Sequence, residues 1–288
     1  MKSINDCIKT ENMIIQINEL FKKKKIDNYE LKMLSFQNEV DDLDISFINE
    51  LKLNTDFVDK LINNYFSYNT IEYELIDNLP IGKEVFLLSD DKNRKNYQYK
   101  AFDQLNNTNS EMYINSKQVE FSKSIIINEN NKYRNIIYKI INNFKLADTS
   151  HMFYECYDLK KIKFHNLDTS ELKGMRGMFR CCYNLESIEG IDNWNVSKVS
   201  NMCCVFSGCN NLSSFKGIEN WDISNVNDIS GIFECNNTIK VINELENWKT
   251  NNIVTFGNTF SYCSNLTSTK GICNWDISNL KNKSSPFV

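Results

Sequence analysis

The second half of the sequence repeats itself with a period of about 27 residues, as internal arrays of one structural unit do. Five phenylalanines recur at intervals of 26, 27, 27 and 27 residues. They are Phe153, Phe179, Phe206, Phe233 and Phe260. The residues six positions later are Leu159, Leu185, Leu212, Ile239 and Leu266, and those fifteen positions after the last four phenylalanines are Trp194, Trp221, Trp248 and Trp275. A repeat of this length buries its apolar face only against its neighbours, so the repeats must pack together.

Most of the cysteines follow the same period. Three residues after a repeat phenylalanine stand Cys156, Cys182, Cys209 and Cys263, and in the fourth copy Cys235 comes one residue early. The chain is too long to need a disulfide framework and shows no export signal, so we expect a buried column of reduced thiols. The adjacent pairs, Cys181 with Cys182 and Cys203 with Cys204, lack the CxxC order of zinc sites. We therefore expect no metal site and no cofactor.

Further apolar residues fall about every three positions between these anchors, such as Ile188, Ile191 and Val196. This spacing fits neither a long helix nor a strictly alternating strand. A chain that bends repeatedly around one axis produces it, and the repeats therefore predict a solenoid of about five coils. Gly190, Gly217 and Gly271 share one position of the repeat, where we expect a bend with positive φ.

The first half of the sequence has two other patterns. Residues 1–68 carry apolar residues at helical spacing, such as Met13, Ile17 and Leu20, and predict a small helical domain. The four lysines at 22–25 are expected to form a solvated helix end. Residues 69–140 predict a β-rich connecting and capping region, with strands at 85–88, 111–115, 117–121, 125–127 and 136–141.

The repeat strings also resemble those of a known family. They are MFYECYDLKKI, MFRCCYNLESI, VFSGCNNLSSF and TFSYCSNLTS, together with WNVSKVSNM, WDISNVNDIS and WDISNL. These strings are similar to the BspA-like leucine-rich-repeat surface-protein family, whose repeat has the same order of Met-Phe, Cys, Leu and Trp-Asp-x-Ser-x-Val. The resemblance covers about residues 141–288 and implies a leucine-rich-repeat-like solenoid in a protein that is exported and attaches to host or matrix proteins.

The predicted fold class is accordingly α+β. We expect a helical region at 1–68, a β-rich cap at 69–140, and a leucine-rich-repeat-like solenoid of about five 27-residue coils at 141–288.

The charge and hydropathy of the sequence argue against nucleic acid as a partner and against a membrane span. The chain has 33 basic and 37 acidic side chains and a formal net charge of −4, whereas nucleic-acid binding relies on clustered excess Lys and Arg. We expect no nucleic acid and no membrane span, because no apolar run approaches the roughly 20 residues needed to cross a bilayer. Without a signal-peptide pattern, the sequence predicts an intracellular, cytoplasmic protein. The resemblance gives the alternative, which is the cell surface or secretion.

The usual sequence motifs of catalysis are missing, including the P-loop, HExxH and GxSxG patterns. His151, Cys156 and His165 are close enough in sequence to suggest a nucleophile and a base. Since Cys156 belongs to the repeated cysteine position, we expect a structural thiol and no catalytic residue.

We predict a non-enzymatic module for protein–protein interaction, in which exposed residues between the repeated positions select one or more protein partners. The candidate contact residues are Lys160, Arg180, Lys198, Lys216 and Lys240. One alternative is a surface or secreted adhesin. Another is an effector or enzyme whose activity resides in residues 1–140, with the repeats as its targeting arm.

The end of the sequence begins a further copy of the repeat, with Phe287 at the phenylalanine position. Open ends of repeat arrays expose apolar edges. We expect this end to be covered by the tail itself, by a partner or by self-association.

Overall fold

Eight β-strands and three short 3-10 helices make up the regular structure of the described residues. The structure is a computed structural model, and it describes residues 69–90, 102–115, 117–128, 136–141, 144–281 and 284–287. The predicted helical domain at 1–68 and the lysines at 22–25 lie outside the described residues.

The strands are β1 (Asn69–Leu75), β2 (Glu84–Phe86), β3 (Ser110–Ile114), β4 (Lys117–Val119), β5 (Ser124–Ile126), β6 (Ile136–Ile140), β7 (Leu159–His165) and β8 (Ser187–Glu189). The 3-10 helices are Ile218–Asn220, Asn243–Leu245 and Lys270–Ile272. Six strands form one sheet in the order β4-β3-β6-β1-β7-β8, and β2 pairs with β5 in a second sheet. All pairs are antiparallel except β7 with β8, which is parallel.

Alternating apolar residues explain why the central strands form. Ile71 and Tyr73 of β1, and Ile136 and Tyr138 of β6, are buried, while the residues between them are only half-buried. This period of two places one face of each strand in the core. Strand β1 pairs with β6 on one side and with β7 on the other, so the sheet runs from residues 69–140 directly into the first repeat.

The five strands predicted within 69–140 are confirmed, with bounds that differ by at most two residues. Strand β1 was not predicted, although its sequence NTIEYEL has the required alternation.

The predicted α+β class with a leucine-rich-repeat-like solenoid is wrong. The described residues contain no α-helix and are built around a six-stranded mixed sheet. Successive repeats pair as strands only at β7 and β8. Elsewhere in the described residues they meet at isolated parallel bridges, for example between Gly174 and Asn201 and between Asn201 and Asp228. The cause is local, because each repeat places residues with positive φ beside its phenylalanine, and these interrupt an extended strand.

Alternate backbone N–H groups around each repeat phenylalanine bond to the next repeat. The Phe179 N–H donates to the Val205 carbonyl at 2.8 Å, and the Cys181 N–H donates to the Ser207 carbonyl at 2.8 Å. The Arg180 N–H between them donates to the Gly177 carbonyl of its own turn at 3.1 Å. The same alternation recurs around Phe206 and Phe233. These buried N–H groups are thus satisfied in a pattern that holds consecutive repeats in register.

The phenylalanine rings of consecutive repeats lie face to face. Their centroids are 5.1, 5.8, 5.9 and 5.7 Å apart from Phe153 to Phe260, with interplanar angles of 11, 5, 9 and 7°. Phe287 continues the series 5.5 Å from Phe260. The five rings from Phe153 to Phe260 are buried, and burial of one such side chain stabilises the fold by roughly 1.5–3 kcal/mol.

The cysteine position forms a second connection between repeats. The Cys182, Cys209 and Cys263 thiols donate to the phenylalanine carbonyl of the preceding repeat at 2.9, 3.2 and 3.0 Å. In the fourth repeat Asn236, and not Cys235, takes this position and donates to the Phe206 carbonyl at 2.9 Å. The buried column of reduced thiols is therefore confirmed for Cys156, Cys182, Cys209 and Cys263, whereas Cys235 lies outside it.

The shared glycine position is explained by close approach of two backbones. A Cβ at Gly190 would lie 1.9 Å from the Phe164 carbonyl oxygen, and one at Gly271 would lie 1.7 Å from that of Ile242. Gly190 and Gly217 have the positive φ that we predicted, but Gly271 does not. Gly190 and Gly271 therefore have in common that a carbonyl oxygen leaves no room for a Cβ, and not that φ is positive.

The tryptophan position gives a test of repeat packing with a matched control. Trp221 is 4% exposed and its Nε1–H donates to the Ile191 carbonyl at 2.8 Å. Trp275 makes the equivalent bond at 3.2 Å but is only half-buried. We expect Trp221→Ala to lower the free energy of unfolding by about 3–5 kcal/mol, as truncation of a large buried aromatic does, and Trp275→Ala to lower it less. Urea unfolding followed by near-UV circular dichroism measures both, and an equal or larger effect at Trp275 would contradict the packing described.

Candidate interaction surface

Side chains that leave the core at the repeat turns form a connected surface across the first four repeats. We call it the tyrosine–thiol face, and it consists of Glu155, Tyr157, Arg180, Cys181, Tyr183, Cys204 and Glu234. Three of these residues, Glu155, Cys181 and Cys204, have φ of 59, 62 and 59°. Each is half-buried while its neighbours Tyr154, Cys182 and Val205 are buried. At these three positions the backbone is left-handed, and the side chain lies at the surface although an adjacent residue in the sequence is buried in the core.

Two stacked tyrosines are the most exposed part of this face. The rings of Tyr157 and Tyr183 lie 5.3 Å apart with an interplanar angle of 15°, and their exposed fractions are 39% and 43%. Burial, together with the charge and hydrogen bond of Glu155, raises the pKa of the Tyr157 hydroxyl above its usual value. Tyr157 accordingly remains a neutral hydrogen-bond donor.

Cys181 connects the tyrosines to Arg180. Burial raises the pKa of the Cys181 thiol, while hydrogen bonds from Tyr183 and Arg180 oppose this rise. Burial acts to lower the pKa of Arg180, but Cys204, Cys181, Tyr154 and Glu234 more than offset it and raise the pKa. Arg180 therefore keeps its charge in a half-buried position where it faces two thiols and a carboxylate.

Glycines of the neighbouring repeats leave room for this face. A Cβ at Gly208 would lie 3.3 Å from Tyr183 Cε1, and a Cβ at Gly231 would lie 3.3 Å from the Cys204 sulfur. Both glycines have positive φ, 75 and 61°. Glycine at these two positions satisfies the backbone conformation and also the space that the ring and the thiol occupy.

Of the five contact residues predicted from the sequence, only Arg180 belongs to the tyrosine–thiol face. Lys160 is held by Glu74 at 3.3 Å and Asp77 at 3.4 Å, and Lys198 lies 3.1 Å from Glu171. Lys216 and Lys240 are exposed. Lys160 and Lys240 stand seven residues after a repeat phenylalanine, whereas Lys198 and Lys216 take two other positions of the repeat.

The histidines and Cys156 have separate surroundings. His151 is buried with its ring 5.6 Å from that of Tyr154. The fully buried Cys156 sulfur lies 4.0 Å from the Tyr154 carbonyl, and His165 Nε2 lies 3.0 Å from Glu72 Oε1. The structure therefore places His165 beside a carboxylate in the sheet and Cys156 at the repeated cysteine position.

Sequence reasoning missed the exposed thiols. It assigned the cysteines as a class to the core, but Cys181, Cys204 and Cys235 are half-exposed. The signal was present in the adjacent pairs, because the repeated cysteine position accounts for Cys182 and Cys209 but not for Cys181 or Cys204.

The last repeat carries a second surface feature. A cavity of about 530 Å³ opens there, lined among others by Phe260, Tyr262, Leu266 and Phe287. Tyr262 and Phe287 are also exposed. Self-association through this end remains a prediction.

The residues that the structure describes have neither a metal-binding cluster nor a membrane-spanning helix. Among them, no three His, Cys, Asp or Glu side chains group in a way that suits a metal ion. The same residues include no helix with the length and apolarity that a membrane crossing requires.

The charge of Arg180 gives a test of this geometry. Burial raises the pKa of the Cys181 thiol, and the charge of Arg180 acts against this rise. The thiolate is the form that reacts with alkylating reagents. In Arg180→Gln the Cys181 pKa rises, less thiolate is present, and iodoacetamide modifies Cys181 more slowly at a fixed, mildly alkaline pH. Arg180→Lys retains the charge and is the matched control. Mass spectrometry of the Cys181 peptide measures the rate, and an unchanged rate in Arg180→Gln would show that the guanidinium does not act on this thiol.

Comparison with known proteins connects the chain to one family. No curated protein and no solved structure matches it. A family model described as "Mycoplasma protein of unknown function, DUF285" matches residues 125–215, 146–239 and 208–288. These overlapping matches span 125–288, which is more than half of the 288 residues. The chain therefore belongs to the DUF285 family.

Proposed function

We propose that this protein is a non-enzymatic module for protein–protein interaction, and that it binds its partner through the tyrosine–thiol face. The observation that carries the proposal is the stacked pair Tyr157 and Tyr183, which remains 39% and 43% exposed on a backbone held by bonds between repeats.

Exposed tyrosines on a rigid backbone suit a binding surface. Tyrosine is enriched at the centres of protein interfaces, because its ring buries a large apolar area and its hydroxyl forms hydrogen bonds. Mutual stacking restricts both rings before a partner arrives. Less side-chain freedom is then lost on binding, which favours affinity.

The groups around the tyrosines indicate what a partner must offer. Arg180 presents a half-buried cation next to Cys181, the thiol that also bonds to Tyr183, and a cation suits a carboxylate. Glu155 accepts a hydrogen bond from Tyr157 and places a negative charge next to that hydroxyl. A protein surface with an apolar centre and an acidic side chain at its edge fits this arrangement.

The resemblance to the BspA-like surface-protein family supports the same class of function, because attachment to other proteins is what the resemblance implies. Binding through this face is proposed whether the protein and its partner lie inside the cell or at its surface.

Quantitative capture tests the proposal with a matched pair of double variants. The full chain, Tyr157→Ser with Tyr183→Ser, and Lys216→Ser with Lys240→Ser are each used as bait in native cell extract. The lysine double variant alters exposed side chains outside the tyrosine–thiol face. We expect proteins retained by the wild type and the lysine variant to be depleted at least about tenfold by the tyrosine variant, which corresponds to about 1.4 kcal/mol.

Folding of each bait is checked first by its thermal transition, and capture is compared at a temperature at which all three baits are folded. Equal capture by all three baits, or loss only with the lysine variant, would overturn the assignment of the partner to this face.

A further inference from the structure

Two adjacent thiols meet where the tyrosine–thiol face borders the core, Cys203 on the buried side and the half-exposed Cys204 on the face itself. The Cys203 and Cys204 sulfurs are 3.3 Å apart, with either one able to donate to the other. Neither is in a disulfide, and both are reduced. An S–S bond is about 2.05 Å long, so the two sulfurs would have to approach each other by roughly 1 Å to form one.

The backbone fixes this pair between two neighbouring repeats. The Cys203 N–H donates to the Asn201 side chain at 2.9 Å. The Cys203 carbonyl accepts from the Gly177 N–H at 2.9 Å, and the Cys204 N–H donates to the Ser230 carbonyl at 2.9 Å. The peptide that joins the two cysteines thus bonds to the repeat before it and to the repeat after it.

The two thiols have different electrostatic surroundings. The hydrogen bond from Cys204 lowers the pKa of the Cys203 thiol, with further lowering by Arg176 and Arg180 against the effects of burial and Asp228. The same hydrogen bond and burial raise the pKa of the Cys204 thiol. Cys203 is therefore the thiol that ionises first, and Cys204 is the one that keeps its proton.

We propose that Cys203 and Cys204 form a dithiol that hydrogen peroxide oxidises reversibly to a disulfide between adjacent residues. The Cys203 thiolate attacks one peroxide oxygen, the O–O bond breaks, and Cys203 becomes a sulfenic acid as hydroxide leaves. The Cys204 sulfur then attacks the Cys203 sulfur, forming the S–S bond and releasing the sulfenic oxygen as water. In sum, two thiols and one peroxide give one disulfide and two waters.

Ring closure at adjacent residues makes the disulfide easy to reduce again. Adjacent Cα atoms are about 3.8 Å apart across a trans peptide, which is shorter than the roughly 4.4–6.8 Å usual for disulfides. Disulfides outside the usual geometry are more readily reduced and belong to the labile, regulatory class. Since the distorted peptide is the one that bonds to both neighbouring repeats, we expect oxidation to weaken those contacts and lower the melting temperature.

Peptide mapping of the full chain tests the proposal. The reduced protein is treated with hydrogen peroxide, unfolded, alkylated and digested with trypsin, which yields residues 199–216 with Cys203, Cys204 and Cys209. We expect one alkyl group, on Cys209, and the loss of two hydrogen atoms between Cys203 and Cys204, with recovery of all three alkyl groups after reduction by dithiothreitol. Three alkyl groups after peroxide treatment, or a disulfide to a different cysteine, would overturn the proposal.

Two variants separate this pair from general cysteine oxidation. Cys204→Ser removes the second thiol, so Cys203 is trapped as a sulfenic acid that reacts with dimedone. Cys235→Ser is the matched control, because Cys235 is also half-exposed with a φ of 59° but lies outside the pair, and this variant forms the disulfide as the wild type does. Loss of the disulfide in Cys235→Ser, or a disulfide from Cys203 to another cysteine in wild-type protein, would contradict the pairing, as would the absence of a dimedone adduct on Cys203 in Cys204→Ser.

Phenylarsine oxide gives a measurement that needs no oxidant. It condenses with two neighbouring thiols, forming two As–S bonds and releasing one water. We expect the reduced wild type and Cys235→Ser to bind one equivalent at the 199–216 peptide, and Cys203→Ser to bind none there. Equal binding by Cys203→Ser would show that the two thiols do not act together.

Discussion

The backbone bond from each repeat phenylalanine to the following repeat is the interaction on which the rest of the described repeats depend. It recurs from Phe153 to Phe260 with donor–acceptor distances of 2.8 to 3.1 Å. Because the N–H groups on either side of the phenylalanine bond within their own turn, no buried donor there is left unpaired. The face-to-face phenylalanine rings and the cysteine-to-carbonyl bonds follow from this register, since equal positions of consecutive repeats are brought side by side.

The same backbone also produces the surface that we assign to function. The left-handed residues two positions before and after each phenylalanine interrupt the strand, and at Glu155, Cys181 and Cys204 they place a half-buried side chain at the surface. Cys181 and Cys204 take these positions in successive repeats, and both interact with the Arg180 guanidinium. The dithiol and the stacked tyrosines thus have a common structural origin, because both belong to turns that the inter-repeat bonds hold in place.

Much of the core was predictable from the sequence, and much of the surface was not. The recurrence of Phe206, Trp221 and Cys209 in other copies marked them as buried, because repeated apolar residues have to pack on their equivalents. The fold class was predicted wrongly, since a 27-residue period does not state whether repeats join as strands or through single bridges and turns. Nor does it show which cysteine of an adjacent pair enters the core, because this depends on a positive φ that non-glycine residues such as Cys204 adopt only in context.

Hydrogen exchange of individual amides tests the central claim most directly. If the bonds between repeats hold this part of the chain together, the Phe179, Phe206 and Phe233 amides exchange only through global unfolding and share one free energy of opening. Exchange of these three amides as fast as those of the exposed residues 192 and 193 would contradict the account.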